Sequence, residues 1–112
     1  ISYIKPELNA IILKALAKNE ITNQPDDRVH VIFVPAYLDG NDGVLQMNYY
    51  DFLTAFDYTV FPSYYEPWGY TPLESIVFGI PTLTTTYAGV GTWILKHCKL
   101  ETPSVYVVDR SK

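Results

Sequence analysis

The segment of residues 58–81 constrains the fold more than any other part of the chain. It opens with a short apolar run, passes through a glycine-bearing turn, and continues into a helical pattern that ends at Gly79 and Pro81. Thr71, Pro72 and Glu74 have the spacing of an N-cap, a first helical residue and the glutamate of a capping box. We therefore predict a strand, a turn and a helix whose N-terminus faces a ligand.

Helical patterns alternate with short apolar runs along the rest of the chain. The first helix opens at Pro6 and is expected to end at Asn19 in a left-handed cap, and residues 49–56 and 91–99 are also predicted to be helical. Strands are predicted at residues 29–34, 58–61, 81–85 and 103–108. This order indicates an α/β fold with a parallel sheet and helices on both faces. The loops at residues 36–48, 62–71 and 85–91 should then meet at the carboxyl ends of the strands.

Composition narrows the possible functions of the chain. Its 112 residues suffice for one domain, and its net charge of −4 argues against nucleic acid or an anionic membrane as a partner. A single cysteine and two widely separated histidines give no metal-ligand spacing. No apolar run approaches the roughly 20 residues that span a bilayer. We expect a soluble, cytoplasmic protein that binds no metal and no membrane.

Two carboxylates, Glu66 and Glu74, are the strongest candidates for chemistry. Glu66 follows the second strand, where a carboxylate can accept hydrogen bonds from sugar hydroxyls. It can equally be a turn carboxylate that the helix dipole stabilises. Glu74 can bind a ribose, but its spacing from Thr71 is explained by a capping box. On the residues alone, the capping interpretation of Glu74 is favoured.

The turn before the helix offers further candidates. The amides of Gly69, Tyr70 and Thr71 can hold a pyrophosphate, although most such turns bind nothing. Tyr49 can stack on a nucleobase or be an ordinary core or surface tyrosine. The remaining candidates are aromatic residues that line a sugar site or pack beneath the turn, and a second glycine-containing loop with exposed amides: Tyr64, Tyr65, Trp68, Gly89 and Gly91.

One run resembles the donor-site motif of retaining GT-B glycosyltransferases, namely Pro-Ser-Tyr-Tyr-Glu-Pro-Trp-Gly-Tyr-Thr-Pro-Leu-Glu at residues 62–74, followed by a helix that ends in Gly-Ile-Pro at residues 79–81. Within this run, the residues Tyr-Tyr-Glu-Pro-Trp-Gly-Tyr-Thr-Pro at 64–72 are similar in sequence to the animal and fungal glycogen synthases. This similarity extends over roughly residues 6–95. The resemblance implies that residues 1–112 form a single, partial Rossmann-like domain, part of the C-terminal domain of a GT-B fold. It also implies that the N-terminal acceptor domain is absent.

The resemblance also implies an activity and a role for each site residue. The intact protein would transfer glucose from UDP-glucose to an α-1,4-glucan with retention, without a cofactor, as a homo-oligomer; this chain alone would be inactive. Glu66 would contact the glucose beside the reacting centre, and Glu74 the ribose. Tyr49 would stack on uracil. The donor phosphates would meet the turn, and the donor-binding set would include Trp68, Gly69, Tyr70 and Thr71.

Two other functions remain open at this stage. The first is a Rossmann-like module that binds a nucleotide or a partner without catalysis, and such a module would not need Glu66. The second is a glycosidase in which Glu66 and Glu74 form the carboxylate pair. The commitment of Glu74 to a helix start argues against this second alternative.

Overall fold

The computed structural model describes residues 6–99 and 104–111 and divides the chain into two compact units, one ending at Tyr49 and one beginning at Tyr50. The elements in chain order are α1 (Pro6–Lys18), α2 (Tyr49–Leu53), β1 (Thr59–Val60), α3 (Tyr70–Val77), β2 (Thr82–Thr85), α4 (Gly89–His97) and β3 (Val105–Val108).

Helix α1 dominates the first unit and begins at Pro6, as predicted. Its C-terminal cap differs from the prediction. The left-handed residue is Glu20, with φ of 57°, and the Ile21 amide donates to the Leu16 carbonyl at 3.0 Å. Asn19 instead donates through its side-chain amide to the Ala15 carbonyl at 2.7 Å. Its side chain therefore stabilises the last turn of the helix without a left-handed backbone.

Residues 29–34 are not a strand, so that prediction is wrong. In the part of the chain that the structure describes, no neighbouring strand pairs with them. The side chain of Asn23 takes both backbone groups of Val31, at 2.8 Å to the amide and 2.7 Å to the carbonyl. Ile32 is 74% exposed. An apolar run needs a hydrogen-bonded ladder to become a strand, and here a side chain occupies both backbone groups of Val31, in the middle of the run.

The second unit contains a parallel sheet in the order β1-β2-β3. Thr59 pairs with Thr82, which pairs with Val105, so these three residues share one face of the sheet. The predicted strands at residues 58–61 and 81–85 are confirmed in shorter form. The last predicted strand is confirmed at Val105–Val108, and its first residue lies outside the described residues. The α/β class is confirmed.

Helices were predicted on both faces of the sheet, and the two crossover helices, α3 and α4, both cover the same face. Ser75 of α3 hydrogen-bonds Thr59 and Thr82, while Val105, on the same face as Thr82, packs against the cluster that contains Val90 and Ile94 of α4. Two right-handed crossovers that run in the same direction place their helices in this way. The other face of the described sheet carries apolar side chains that are about half exposed, namely Val60, Tyr106 and Val108.

The end of α3 agrees with the sequence signals, whereas the start of α4 and the end of α2 differ from them. α3 ends as predicted at Gly79, whose φ is 75°, and the amides of Gly79 and Ile80 donate to the carbonyls of Ile76 and Ser75. This is the Schellman pattern. α4 begins at Gly89, two residues before the predicted start. α2 ends at Leu53, not at residue 56, because the following amides make only tight i→i+3 bonds.

Three buried hydroxyls join α3 to the sheet. The Oγ atoms of Ser75 and Thr59 lie 2.7 Å apart, those of Thr82 and Ser75 2.8 Å apart, and those of Thr59 and Thr82 3.1 Å apart. Thr82 also donates to the Ile80 carbonyl at 2.7 Å. A buried polar network of this kind is stabilising only while its members remain paired.

Replacing Ser75 by Ala should lower the free energy of unfolding by about 1–2 kcal/mol, because both threonines lose a buried partner. Urea denaturation, followed by the fluorescence of the Trp68–Trp93 pair, measures this change. Ser111→Ala, at an exposed position, is the control and should change stability by less than about 0.5 kcal/mol. Equal stability of the Ser75→Ala variant and the wild type would contradict the structural role of the network.

Candidate functional site

The loops after β1 and β2 are joined by backbone hydrogen bonds at the carboxyl ends of the strands. Glu66 pairs with Ala88 as an isolated parallel bridge. The Glu66 amide donates to the Tyr87 carbonyl at 3.0 Å, and the Gly89 amide donates to the Glu66 carbonyl at 3.1 Å. Of the three loops that were predicted to meet at one edge, those at residues 62–71 and 85–91 do so in the second unit. The third, at residues 36–48, follows residues 29–34, which are not a strand. The backbone of Glu66 is therefore held as firmly as a strand residue.

The side chain of Glu66 lies at the N-terminus of α3. Its Oε2 accepts a hydrogen bond from Ser63 Oγ at 3.1 Å. A Cβ placed on Gly69, the N-cap of α3, would lie 3.3 Å from the same oxygen and 3.1 Å from Val90 Cγ1. Gly69 has φ of 102°, so a glycine is needed there both for the backbone conformation and for the approach of the carboxylate. Ser63 was not among the predicted site residues, although it lies within the motif at residues 62–74.

The predicted capping box is wrong. α3 begins at Tyr70, and its N-cap, Gly69, offers no side-chain hydrogen bond. Thr71 lies inside the first turn, and Glu74 lies further along the helix than a capping glutamate. Within residues 6–99 and 104–111, the amides of Gly69, Tyr70 and Thr71 donate to no protein acceptor. These three amides are therefore available to an anion at the helix start.

Replacing Thr71 by Ala should change the free energy of unfolding by less than about 0.5 kcal/mol, because the hydroxyl caps no amide. Loss of a true threonine N-cap typically costs about 1 kcal/mol. The same denaturation assay distinguishes these values. Destabilisation of that size would show that Thr71 caps the helix after all.

Glu74 is bound to a residue that the sequence did not indicate. Tyr50 donates from its hydroxyl to Glu74 Oε1 at 2.9 Å, and its ring stacks on Phe78 with centroids 5.7 Å apart. The hydrogen bond to Glu74, together with the negative charge of that carboxylate, raises the pKa of Tyr50. These residues border a cavity of about 350 Å³ that Leu73 and Val77 complete. Tyr50 was missed because the choice between adjacent tyrosines depends on contacts across 24 residues.

The remaining aromatic candidates occupy different environments. Trp68 is half-buried, packs against the core of the second unit and meets Trp93 edge to face at 6.4 Å. Tyr64 and Tyr65 are each 82% exposed, so they do not pack beneath the turn. Tyr70 is also exposed. Tyr49 is the last residue of the first unit, where its amide donates to the Leu38 carbonyl at 2.9 Å.

The glycines of the second glycine-containing loop allow close contact between backbone segments. A Cβ on Gly89 would overlap the carbonyl oxygen of Pro67, and one on Gly91 would overlap that of Thr85. The Gly89 amide is already bonded to Glu66, and the Val90 amide donates to the Trp68 carbonyl at 2.7 Å. The glycines at these positions are therefore explained by close packing of two loops, not by an exposed amide-rich surface.

A parallel sheet with a carboxylate and available amides at the carboxyl ends of its strands is typical of α/β domains that bind anionic ligands at this edge. The described residues contain no group of three or more His, Cys, Asp or Glu side chains that could hold a metal ion. None of their helices is long and apolar enough to cross a membrane.

Comparison with known proteins defines the family. A sequence profile described as glycogen synthase matches residues 4–112. The chain is 41% identical over 100 residues to the glycogen [starch] synthase of Caenorhabditis elegans, with 88% of this chain and 15% of the relative covered. To glycogen [starch] synthase isoform 2 of Saccharomyces cerevisiae, the chain is 38% identical over 107 residues, which cover 93% of this chain and 15% of the relative. Against the Homo sapiens liver enzyme, it is 42% identical over 100 residues, with coverages of 88% and 14%.

The chain belongs to the glycogen synthase family, and the resemblance found in the sequence is confirmed. It spans about 15% of the length of the curated relatives that it matches.

Proposed function

We propose that the intact protein is a retaining glycosyltransferase that transfers glucose from UDP-glucose to an α-1,4-glucan, and that this chain supplies part of its donor site. Support for the activity comes from the family of the chain. Support for the location of the site comes from the second unit, where the loops after β1 and β2 converge on Glu66 and the start of α3.

One observation carries the proposal. The carboxylate of Glu66 lies against Gly69, next to three amides that have no acceptor among the described residues. A nucleoside diphosphate leaving group develops negative charge, which helix N-terminal amides stabilise. A carboxylate beside it can accept hydrogen bonds from the hydroxyls of the transferred sugar. Glu66 and the start of α3 would thus bind neighbouring parts of one sugar nucleotide.

For the other residues we propose the roles that the family resemblance implies. Glu74 would accept hydrogen bonds from the ribose, and Tyr49 would stack on the uracil. Trp68 would act from beneath the loop, because it packs against the core of the second unit. Tyr70 and Thr71 would contribute backbone amides to the phosphates, together with Gly69.

The complete reaction is proposed to need more protein than this chain contains, since the relatives are several times longer. Cations that neutralise the pyrophosphate and the groups that hold the glucan would come from those other parts. We therefore propose that residues 1–112 alone do not turn over. We further propose that the intact enzyme is a cytoplasmic homo-oligomer that needs no metal or cofactor; light scattering after size exclusion measures its assembly.

A transfer assay on the full-length protein tests the proposed function. UDP-glucose and an α-1,4-glucan primer should yield UDP and an elongated glucan that an α-1,4-specific hydrolase degrades. In an NMR titration with UDP, with ADP as the control, the backbone amide signals of four residues should shift, namely Gly69, Tyr70, Thr71 and Glu74. Nucleotide binding without any transfer would instead favour the non-catalytic binding module.

A further inference from the structure

Tyr50 and Glu74 form a polar pair at the edge of an otherwise apolar cavity. The tyrosine hydroxyl donates to Glu74 Oε1 at 2.9 Å, and the ring is held by Phe78 at 5.7 Å with an interplanar angle of 25°. The cavity of about 350 Å³ is bordered by these residues together with Leu73 and Val77. The hydrogen bond thus lies on a concave surface, where a ligand can reach it.

The pair leaves half of the Glu74 carboxylate available. Glu74 does not cap α3, and its Oε2 accepts no hydrogen bond from any residue within 6–99 and 104–111. An unassisted glutamate side chain would sample several rotamers on the helix surface, and ordering it costs conformational entropy. A neutral donor bound to Oε1 reduces that freedom without adding a charge that would compete for Oε2. A tyrosine hydroxyl, with its ordinary pKa of about 10, is already protonated at neutral pH, and the hydrogen bond to Glu74 raises the pKa of Tyr50 further.

We propose that Tyr50 is a positioning residue for Glu74, holding its carboxylate so that Oε2 accepts a hydrogen bond from the vicinal diol of a nucleotide ribose. This inference rests on the proposed function, because it takes a sugar nucleotide as the ligand.

Tyr50→Phe in the full-length protein is the direct test, because it removes the hydroxyl and keeps the ring that stacks on Phe78. Binding of UDP and of 2′,3′-dideoxy-UDP is measured by isothermal titration calorimetry. The Kd for UDP should rise about fivefold, the size of a modest hydrogen bond, whereas the Kd for the dideoxy analogue should stay unchanged. In the transfer assay, KM for UDP-glucose should rise and kcat should change less than about twofold.

Tyr106→Phe is the matched control. Tyr106 is about half exposed, as Tyr50 is, and lies on the face of the sheet opposite α3 and α4, where its ring contacts Tyr58 at 6.1 Å. It should leave both dissociation constants at the wild-type values. Glu74→Gln is the reference for loss of the carboxylate charge itself. It should weaken the binding of UDP more than Tyr50→Phe does.

The outcomes separate this inference from the proposed function. Unchanged UDP binding by Tyr50→Phe, with weaker binding by Glu74→Gln, would overturn the role of Tyr50 and leave the donor site standing. If Tyr50→Phe weakened the binding of UDP and of the dideoxy analogue equally, the role would also be overturned, since the Tyr50 hydroxyl would then support only the fold of the cavity. A wild-type protein that neither binds UDP nor transfers glucose would overturn both the proposed function and the role of Tyr50.

Discussion

Replacing Glu66 by Gln in the full-length protein is expected to reduce transfer by about 100-fold or more, with little loss of nucleotide binding. The substitution keeps the size of the side chain and its contact with Ser63 but removes the negative charge beside the proposed reacting centre. Loss of one preorganised electrostatic contact in an active site commonly costs a factor of about 100–1,000 in kcat. Initial rates at saturating UDP-glucose and glucan measure the effect, and calorimetry with UDP measures binding.

Glu7→Gln is the control for this variant, because Glu7 is an exposed carboxylate in the first turn of α1. It should retain wild-type turnover. Full activity of the Glu66→Gln enzyme would remove Glu66 from the chemistry and favour the binding-module interpretation. Equal loss of turnover and UDP binding would assign Glu66 to donor binding instead of to the chemical step.

Gly89→Ala is expected to be the most destabilising substitution considered, lowering the free energy of unfolding by about 3 kcal/mol or more. Its Cβ would overlap the Pro67 carbonyl oxygen and approach the Trp68 Cα. Both atoms belong to backbone, so no flexible side chain can move aside. The two loops would have to separate, which breaks the hydrogen bonds of Gly89 and Val90 to Glu66 and Trp68. Urea denaturation followed by tryptophan fluorescence measures the loss.

Gly79→Ala separates this overlap from ordinary glycine effects. Gly79 has φ of 75°, and a Cβ there would meet nothing within 4 Å, so the expected cost is only about 1 kcal/mol of left-handed strain. Gly89 shows no positive φ, and its cost comes from the overlap alone. A Gly89→Ala protein no less stable than Gly79→Ala would mean that the loops can part easily and that the backbone of Glu66 is not firmly held.

Several predictions that rest on local signals are confirmed within the described residues, whereas the left-handed cap at Asn19 and the capping box of Thr71 and Glu74 are not. A proline in the first turn places the start of α1, and a glycine with a following proline places the end of α3, because both residues act through their own backbone geometry. Short apolar runs identify the strands of the second unit, since burial in a parallel sheet requires them. The family follows from the length of the motif around Glu66.

Two predictions are wrong because contacts with other segments of the chain decide the structure there. Residues 29–34 have the composition of a strand, but the structure gives them no ladder, and Asn23 takes the backbone of Val31. Thr71 and Glu74 have the spacing of a capping box, yet the bridge between Glu66 and Ala88 brings the chain into α3 through a left-handed Gly69. That entry starts the helix before Thr71, so the spacing no longer matches the helix start.

The sequence alone determined the strand–turn–helix order, the identity of the two glutamates as candidates and the family, because these depend on neighbouring residues and their types. Only the tertiary structure decided that Glu66 lies against Gly69, that the amides of Gly89 and Val90 are occupied, and that Tyr50 hydrogen-bonds Glu74. Each of these arrangements depends on hydrogen bonds or close contacts between segments distant in the chain. Their formation requires the folded backbone of β1, β2 and α3, and no local residue pattern encodes it.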